Sequence, residues 1–304
     1  MAATSVGGGS GSGRGDSVDK LKDLIKGPDL IVAPCALNPI MAQMAAEAGF
    51  KAAYLSGGSL GWYKGVTEAG LSLSEMIQVV VDIRTVTPIP VVLDAGGGWG
   101  DPVHIHRTVA MSEAAGVQSI EIEDQLLPRR VEHHIGIDHL VTPELAAARI
   151  KEAVAARTDP NLVIVGRTNA IRVGGVDDAL RRAEMMKKAG ADMLFVYGRK
   201  PEEMRHFAER LPAPLMTFAP PDGWSTFPVS KAEMAKMGYR LAASSGSAFA
   251  AMVRAVRQSY ECLAQDRLDP FLGAGGAEKE MKAAHKITGL DRLLEIERRT
   301  MKGA

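Results

Sequence analysis

The sequence predicts an α/β fold, a (β/α)8 TIM barrel followed by extra C-terminal helices. Three observations predict it: eight short apolar runs, amphipathic segments between them, and a glycine directly before several of the runs. Nearly continuous apolar runs are typical of parallel strands that are buried on both faces. A helix, a glycine and a strand, repeated around eight strands, are the order of elements in a closed barrel.

The predicted strands are short runs of mostly apolar residues. In chain order they cover residues 31–36, 52–56, 91–95, 119–123, 162–168, 193–197, 214–218 and 239–243. Between them, apolar residues recur at three- and four-residue spacing, which is typical of helices that pack one face against a sheet. This spacing predicts helices over 74–86, 103–115, 143–157 and 176–189.

Glycines stand at the joints between predicted helices and strands, at Gly49, Gly116, Gly190 and Gly238. Glycine readily takes the left-handed backbone conformation that ends many helices. The alternative fold is a doubly wound sheet, supported mainly by the glycine-rich segment 96–100. That segment does not have the spacing of a dinucleotide-binding loop, so the barrel is favoured.

The chain divides into a tail and one domain. Residues 1–16 are small and polar and predict a flexible tail, and they contain no apolar stretch of the kind found in a signal peptide. Residues 17–304 are predicted to form a single barrel domain. A barrel needs only one helix after its last strand, so the helical patterns within 267–304 predict a C-terminal arm that binds a partner.

The composition excludes several classes of protein. Lysine plus arginine and aspartate plus glutamate are both 36, so the formal net charge is zero. A nucleic-acid-binding protein usually has a basic excess, and a transmembrane helix needs about 18 apolar residues in a row. Neither feature is present, so we expect no nucleic-acid partner and no membrane association. Cys35 and Cys262 form no disulfide or ligand pattern, which favours a reducing compartment, the cytoplasm.

Polar residues stand where several predicted strands end, and barrel enzymes carry their chemistry there. Asp94 and Glu123 each close an apolar strand, so two carboxylates meet at one mouth of the barrel. They repel each other unless a cation or protons intervene. Oxygen ligands without neighbouring Cys or His favour Mg²⁺ or Mn²⁺ over Zn²⁺. Arg167 ends another buried strand and needs a partner, either Glu123 or a substrate carboxylate.

The loop at 126–136 is long for a connection between a strand and a helix, and long loops over a barrel mouth are often lids. Within it, His133 or His134 is a candidate general acid or base, because histidine titrates near neutrality. A zinc site at these histidines is disfavoured, because neighbouring side chains point apart on most backbones.

Four segments together resemble the isocitrate lyase/phosphoenolpyruvate mutase superfamily, in particular its short lyase, decarboxylase and phosphonomutase members. They are residues 54–58, 93–95, 122–125 with 128–130, and 166–170. The resemblance implies a barrel whose final helix swaps between subunits, usually in a homotetramer. It also implies a Mg²⁺ ion, held largely through water, that stabilises an enolate while a C–C or P–C bond of a 2-oxo or 2-hydroxy acid breaks.

The resemblance implies roles for individual residues. The residues expected to hold the metal are Asp94, Glu123 and Glu68. The residues expected to bind the substrate are Tyr54, Ser56, Gly57, Gly58, Arg167 and Asn169. The expected catalytic residues are Arg167 and, as the groups that move a proton when the lid closes, His133 or Glu132.

The sequence also departs from the family's pattern. An Asp-Ala-Gly run ends at Gly96 where the family usually has Asp-Ala-Asp, and Val131 stands in place of the cysteine that the lyases use as an acid. Tyr197 replaces a pocket acid of the lyases and Phe218 a pocket asparagine, which together with Trp99 makes the site less acidic and more apolar. We therefore expect a substrate with fewer charges than a tricarboxylate and with an alkyl or aryl branch.

The predicted function is a divalent-metal-dependent lyase. It cleaves a C–C bond next to a metal-chelated 2-hydroxy or 2-oxo carboxylic acid through an enolate, and it releases pyruvate or a related 2-oxo acid. Three alternatives stay open: an oxaloacetate decarboxylase-like reaction, cleavage of a P–C bond, and a degenerate barrel that binds a carboxylate without turnover.

Overall fold

The computed structural model describes residues 20–198 and 200–301. The predicted tail at residues 1–16 lies outside the described residues. The strands are β1 Ile31–Pro34, β2 Ala53–Leu55, β3 Val91–Asp94, β4 Ser119–Glu123, β5 Val163–Thr168, β6 Met193–Val196, β7 Leu215–Phe218 and β8 Tyr239–Ser244. They form one parallel sheet in the order β1-β8-β7-β6-β5-β4-β3-β2.

The sheet closes between β1 and β2, just beyond the end of β1. Cys35 forms a parallel bridge with Tyr54, and the amide of Ala36 donates to the carbonyl of Tyr54 at 3.0 Å. This closure confirms the predicted (β/α)8 barrel. The alternative, a doubly wound sheet, is wrong because that fold is an open sheet.

Helices follow the strands and cover the outside of the barrel. The α-helices of the described residues are α1 Leu21–Leu24, α2 Pro39–Glu47, α3 Gly57–Tyr63, α4 Leu73–Val86, α5 Pro102–Ala115, α6 Pro143–Ala156, α7 Gly175–Lys188, α8 Pro201–Arg210, α9 Lys231–Lys236, α10 Ser247–Ala264, α11 Gly276–Ile287 and α12 Leu290–Thr300. The four helices predicted from apolar spacing are α4, α5, α6 and α7. Gly49, Gly116, Gly190 and Gly238 all have positive φ, as predicted for the joints.

Apolar side chains pack in two layers, one inside the barrel and one between the barrel and its helices. Helix α1 lies across the N-terminal end, where Leu21 and Ile25 pack into the interior layer. The amide of Leu21 also donates to Oε1 of Gln118 at 2.8 Å. The helix thus covers one end of the barrel, and the polar strand ends lie at the other.

Helices α10, α11 and α12 confirm the extra C-terminal helices. Helix α11 touches α2, where Nε2 of Gln43 donates to the carbonyl of Ile287 at 3.1 Å. Large apolar side chains stay exposed in this part of the chain: Val256, Tyr260, Leu263, Leu268, Phe271, Met281 and Leu293. The role of the arm in binding a partner stays a prediction. Within the two described ranges, every helix is too short or too polar to cross a membrane.

Candidate active site

Strand parity places the predicted polar residues inside the barrel. Side chains alternate between the two faces of a strand, and the interior layer contains Val163 and Val165 of β5. The next residue of the same parity is Arg167, so its side chain points inward at the C-terminal mouth. The same alternation turns Val92 and then Asp94 of β3 inward.

Arg167 is buried between two glutamates of β4 and two aromatic rings. Its Nη1 lies 2.5 Å from Oε1 of Glu121, and its Nε lies 3.3 Å from Oε2 of Glu123. Its guanidinium carbon lies 5.0 Å from the ring centroid of Phe195 and 5.1 Å from that of Phe218. Burial disfavours the charged guanidinium, but the two carboxylates outweigh burial and raise the pKa of Arg167, so the charge is retained.

The environments of the two β4 glutamates favour ionisation to different degrees. Burial raises the pKa of Glu121 to about 8, although Arg167 opposes this shift. Burial also opposes ionisation of Glu123, but Arg129 and Arg167 outweigh it and hold the pKa of Glu123 at about 2. Glu123 therefore has two guanidinium partners that favour its ionised form, whereas Glu121 has one.

Asp94 and Glu68 border the space above these glutamates. Asp94 accepts from the amide of Gly57 at 3.2 Å and from the amide of Gly96 at 3.1 Å. Glu68 approaches the backbone so closely that a Cβ on Gly57 would lie 2.6 Å from its Oε1, so a larger residue at position 57 would displace the Glu68 carboxylate. Burial, followed by the charge of Asp94, raises the pKa of Glu68 to about 8.

Arg129 of the lid reaches in among these carboxylates. Its Nη1 lies 3.3 Å from Oε1 of Glu68 and also forms an ion pair with Glu123. Its side chain is 7% exposed, and its Nε has no hydrogen-bond partner in the described part of the chain. A guanidinium group therefore lies among the residues that the sequence predicts to hold the metal.

A cavity of about 190 Å³ opens above this cluster at the C-terminal mouth. The predicted site residues in its wall are Ser56, Gly58, Glu68, Asp94, His133 and Arg167. Tyr54 and Asn169 lie below it: the Tyr54 hydroxyl donates to Glu121 at 3.1 Å, and Nδ2 of Asn169 donates to Glu123 at 2.7 Å. These two side chains hold the β4 glutamates in place.

A larger cavity, of about 750 Å³, is lined mainly by residues that precede or begin β1 and β2. Its charged side chains, among them Lys20, Lys51 and Lys231, are exposed. Barrel enzymes carry their catalytic groups at the C-terminal ends of the strands. The smaller cavity, with its buried charges, is therefore the candidate active site.

The lid crosses the mouth between β4 and α6 and contains the short 3-10 helix Val131–Ile135. His133 lines the cavity, and its Nδ1 lies 2.7 Å from Oδ1 of Asp138. Glu132 instead pairs with His139 at 2.6 Å, and both of these side chains are exposed. Of the two lid residues predicted to move a proton, the fold brings His133 to the cavity and leaves Glu132 outside it.

Aromatic side chains form one wall of the cavity. Trp62, Tyr197 and Phe218 line it, and the rings of Tyr197 and Phe218 meet edge to face with centroids 5.2 Å apart. Trp62 also packs against His134 of the lid, with centroids 5.8 Å apart. The cavity therefore combines a charged floor with an apolar side.

A family model described as phosphoenolpyruvate phosphomutase matches residues 21–264 of this chain. The chain belongs to this family. The superfamily predicted from the four sequence segments is thereby confirmed.

Two relatives of this phosphoenolpyruvate phosphomutase family member are named lyases. This chain is 35% identical over 237 residues to the 2-methylisocitrate lyase of Aeropyrum pernix. The matched region covers 77% of this chain and 76% of the relative. It is also 30% identical over 281 residues to the 2,3-dimethylmalate lyase of Eubacterium barkeri. This match covers 91% of this chain and 96% of the relative. Both names state the reaction class that the sequence predicts for this chain.

A solved structure of phosphonopyruvate hydrolase in complex with oxalate and Mg²⁺ has the same fold. It superposes on this phosphomutase family member with a TM-score of 0.79 and 27% sequence identity, covering 93% of this chain and 98% of that one. That protein therefore holds a dicarboxylate and a divalent cation on a similar barrel.

The donors of this family member suit a divalent cation by chemistry and charge. Asp94, Glu68 and Glu123 offer only oxygen atoms, which Mg²⁺ and Mn²⁺ prefer. With Glu121 they are four carboxylates opposed by two guanidinium groups, so full ionisation would leave two negative charges in excess. Among the described residues no three His, Cys, Asp or Glu side chains are arranged to hold a metal ion directly. The fit to a divalent cation therefore rests on the chemistry of the oxygen donors.

Sequence reasoning assigned no role to four residues of this region: Glu121, Arg129, Asp138 and Arg172. Strand parity is a signal that identifies Glu121, because it lies two residues before Glu123 on the same strand. The other three belong to the lid or to the turn after β5. Their contacts form only where the lid packs against the barrel, and no local sequence pattern predicts that packing.

Proposed function

We propose that this chain is a divalent-metal-dependent lyase that cleaves a C–C bond next to a 2-hydroxy or 2-oxo carboxylic acid and releases pyruvate or a related 2-oxo acid. One observation carries this proposal: Asp94, Glu68 and Arg167 line one cavity, and Glu123 lies 3.3 Å from Arg167. Acidic groups beside a guanidinium suit a cation and a carboxylate bound next to each other.

Asp94, Glu68 and Glu123 are the residues that would hold Mg²⁺ or Mn²⁺. A cation bound there would supply positive charge next to the oxygen on which negative charge develops as the C–C bond breaks. The backbone amides of Gly57 and Gly96 orient Asp94. Asn169 and Arg167 orient Glu123, so both carboxylates are held before a ligand arrives.

Arg167 binds the substrate carboxylate together with Ser56, Gly57 and Gly58. Its guanidinium is fixed by Glu121 and by Oδ1 of Asn169, which accepts from Nη2 at 3.2 Å. A fixed guanidinium loses little further freedom when it binds a carboxylate. Tyr54 and Asn169 thus contribute to substrate binding by holding the groups that face the cavity.

His133 moves the proton at its Nε2. Its Nδ1 is engaged by Asp138, so Nε2, on the far side of the ring, is the nitrogen available to a molecule in the cavity. Cleavage of a 2-hydroxy acid needs a base for the hydroxyl proton, and release of pyruvate needs an acid for the enolate carbon. A histidine at the cavity serves either step without the cysteine that Val131 replaces.

The substrate is a small acid with an apolar branch. A volume of about 190 Å³ is below the size of pockets that hold drug-like ligands. The wall of Trp62, Tyr197 and Phe218 provides apolar contact on one side of the cavity. The small volume and this apolar side favour a branched monocarboxylic or dicarboxylic acid over a tricarboxylate.

A panel of 2-oxo and 2-hydroxy acids, assayed for release of pyruvate or glyoxylate with and without a chelator, tests the proposal. We expect chelator-sensitive release from a branched acid. Release of carbon dioxide alone would favour an oxaloacetate decarboxylase-like enzyme, and release of phosphate from a phosphonate would favour P–C cleavage. Failure of calorimetry to detect Mg²⁺ or Mn²⁺ binding, even with oxalate present, would favour a degenerate carboxylate-binding barrel.

We infer that the protein assembles as a homotetramer, a dimer of helix-swapped dimers, through its C-terminal arm. The exposed apolar side chains of the arm, such as Leu268 and Phe271, support this inference because an isolated chain gains nothing from leaving them in water. A cytoplasmic location is proposed because Cys35 and Cys262 are buried and unpaired with each other. Light scattering of the purified protein measures the assembly directly.

A further inference from the structure

Asp138 is a buried carboxylate at which three separate segments meet. Its side chain is fully buried, and its Oδ1 lies 2.7 Å from Nδ1 of His133. The same oxygen accepts from Nε2 of Gln125 at 2.6 Å. Its other oxygen, Oδ2, lies 3.0 Å from Nε of Arg172. One carboxylate thus joins the end of β4, the lid, and the 3-10 turn after β5.

Two of these partners, His133 and Arg172, also line the cavity. Arg172 approaches the lid so closely that a Cβ on Gly136 would lie 3.2 Å from its Nη2. Gly136 has a φ of 89°, so both its backbone and its surroundings favour glycine. The lid therefore packs against Arg172, and Asp138 links His133 of the lid to the Arg172 side chain.

We propose that Asp138 is a positioning residue that holds the His133 imidazole at the cavity with Nδ1 toward the carboxylate and Nε2 toward the substrate, and that pins the lid to Arg172. The proposal rests on the proposed function, since it assigns the proton at Nε2 to the same reaction.

The physical reason is the pairing of histidine with a buried carboxylate. A neutral imidazole carries its proton on either nitrogen, and a carboxylate at Nδ1 selects the form with Nδ1 protonated and Nε2 free to accept. When Nε2 takes up a proton, the same carboxylate stabilises the imidazolium without accepting a proton itself. Burial opposes the charge of Asp138, but hydrogen bonds from His133 and Gln125 and the charge of Arg172 outweigh it and lower its pKa.

The experiment compares Asp138→Asn with the parent protein by steady-state kinetics and by ¹⁵N NMR of the His133 ring. We expect kcat to fall on the order of 10- to 100-fold, KM to change little, and the His133 signals to move toward the form with Nε2 protonated. A fall in kcat with unchanged ring signals would show a merely structural effect and would overturn the proposal.

A double-mutant comparison tests whether Asp138 acts on the reaction through His133. In a His133→Asn background, Asp138→Asn should cost much less kcat than it costs in the parent, because the ring that it positions is already gone and only the contact with Arg172 is left to lose. An undiminished additional loss would overturn the proposal. The matched control is Asp192→Asn, which removes the partner of Arg157, a residue outside the cavity wall, and should leave kcat and the His133 signals unchanged.

The NMR measurement keeps this proposal separate from the proposed function. A parent protein without turnover on any acid would contradict the proposed lyase. In that case a His133 ring with Nδ1 protonated in the parent and not in Asp138→Asn would still support the positioning role. A ring with Nε2 protonated in both proteins would overturn it.

Discussion

The guanidinium of Arg129 lies directly against Gly96. A Cβ on Gly96 would lie 3.4 Å from Nη1 of Arg129, and Gly96 has a φ of 49°. This is the position where the family usually has an additional aspartate. The chain thus has one acid fewer at the proposed metal site, and the guanidinium of Arg129, which pairs with Glu68 and Glu123, lies beside that position.

Gly96→Asp restores the acid and tests this arrangement. The left-handed backbone costs any such side chain about 1–2 kcal/mol, so Gly96→Asn is the matched control for shape and strain. Without metal, the new carboxylate meets attraction from Arg129 as well as repulsion from Asp94, so we expect Gly96→Asp to melt close to Gly96→Asn. Mg²⁺ should then raise the melting temperature of Gly96→Asp more than that of either other protein. Equal Mg²⁺ shifts in all three would contradict this interpretation.

Arg167→Ala should abolish turnover and destabilise the barrel. The change removes the proposed clamp for the substrate carboxylate and leaves Glu123 with one guanidinium partner instead of two. Loss of a partner in a buried ion pair typically costs about 3–5 kcal/mol, to be measured by urea unfolding. Arg157→Ala, which also breaks a close ion pair but lies outside the cavity wall, should retain turnover. Full turnover by Arg167→Ala, or likewise by Glu123→Ala, would refute the assigned roles.

Asp138 should stabilise the protein at neutral pH and not in acid. Its pKa is lower in the folded protein than the ordinary value of 3.8, so its ionised form is stabilised by folding. That contribution is complete above the unfolded pKa and is lost as the pH falls through the folded pKa. Unfolding measured at several pH values should therefore show parent and Asp138→Asn diverging near neutrality and converging below about pH 3.8. A constant difference across this window would argue against the pairing.

Phe218→Asn should weaken selection for a branched acid. The ring of Phe218 forms part of the apolar wall, and loss of a comparable apolar contact changes specificity roughly tenfold or more. The ratio of kcat/KM for a branched acid to that for its unbranched analogue should fall. Phe218→Leu keeps the wall apolar and should preserve more of the ratio. If both variants kept the parent's ratio, the wall would not select the branch.

Leu263→Arg should reduce the assembled mass. Leu263 is 76% exposed on α10, four residues before the arm begins, and we expect it to share the interface that the arm forms. A charge there would be buried without a partner in any interface that uses this surface. Val103→Arg introduces the same change at an apolar residue on α5, far along the chain from the arm, and should leave the mass unchanged. Sedimentation of both variants decides whether the arm holds the subunits together.

The sequence predicts the barrel well because its signals are local. Apolar runs mark the strands, three- and four-residue spacing marks α4 to α7, and each joint glycine marks a helix end. The alternation of side chains along each strand then predicts that Asp94, Glu123 and Arg167 point into the barrel at its C-terminal mouth. These three positions follow from the chain's own periodicity and need no knowledge of distant contacts.

The tertiary structure alone decides the charges and contacts of the site. Glu68 and Arg129 are far apart in the chain and meet only because the lid folds back over the mouth. Burial raises the pKa of both Glu121 and Glu123, and the guanidinium of Arg129, which the lid brings to Glu123, helps to lower the pKa of Glu123 alone. The same folding turns Glu132 outward and joins Asp138 to His133. Periodicity determines which way a strand residue points, but the closing of the lid determines which charges it meets.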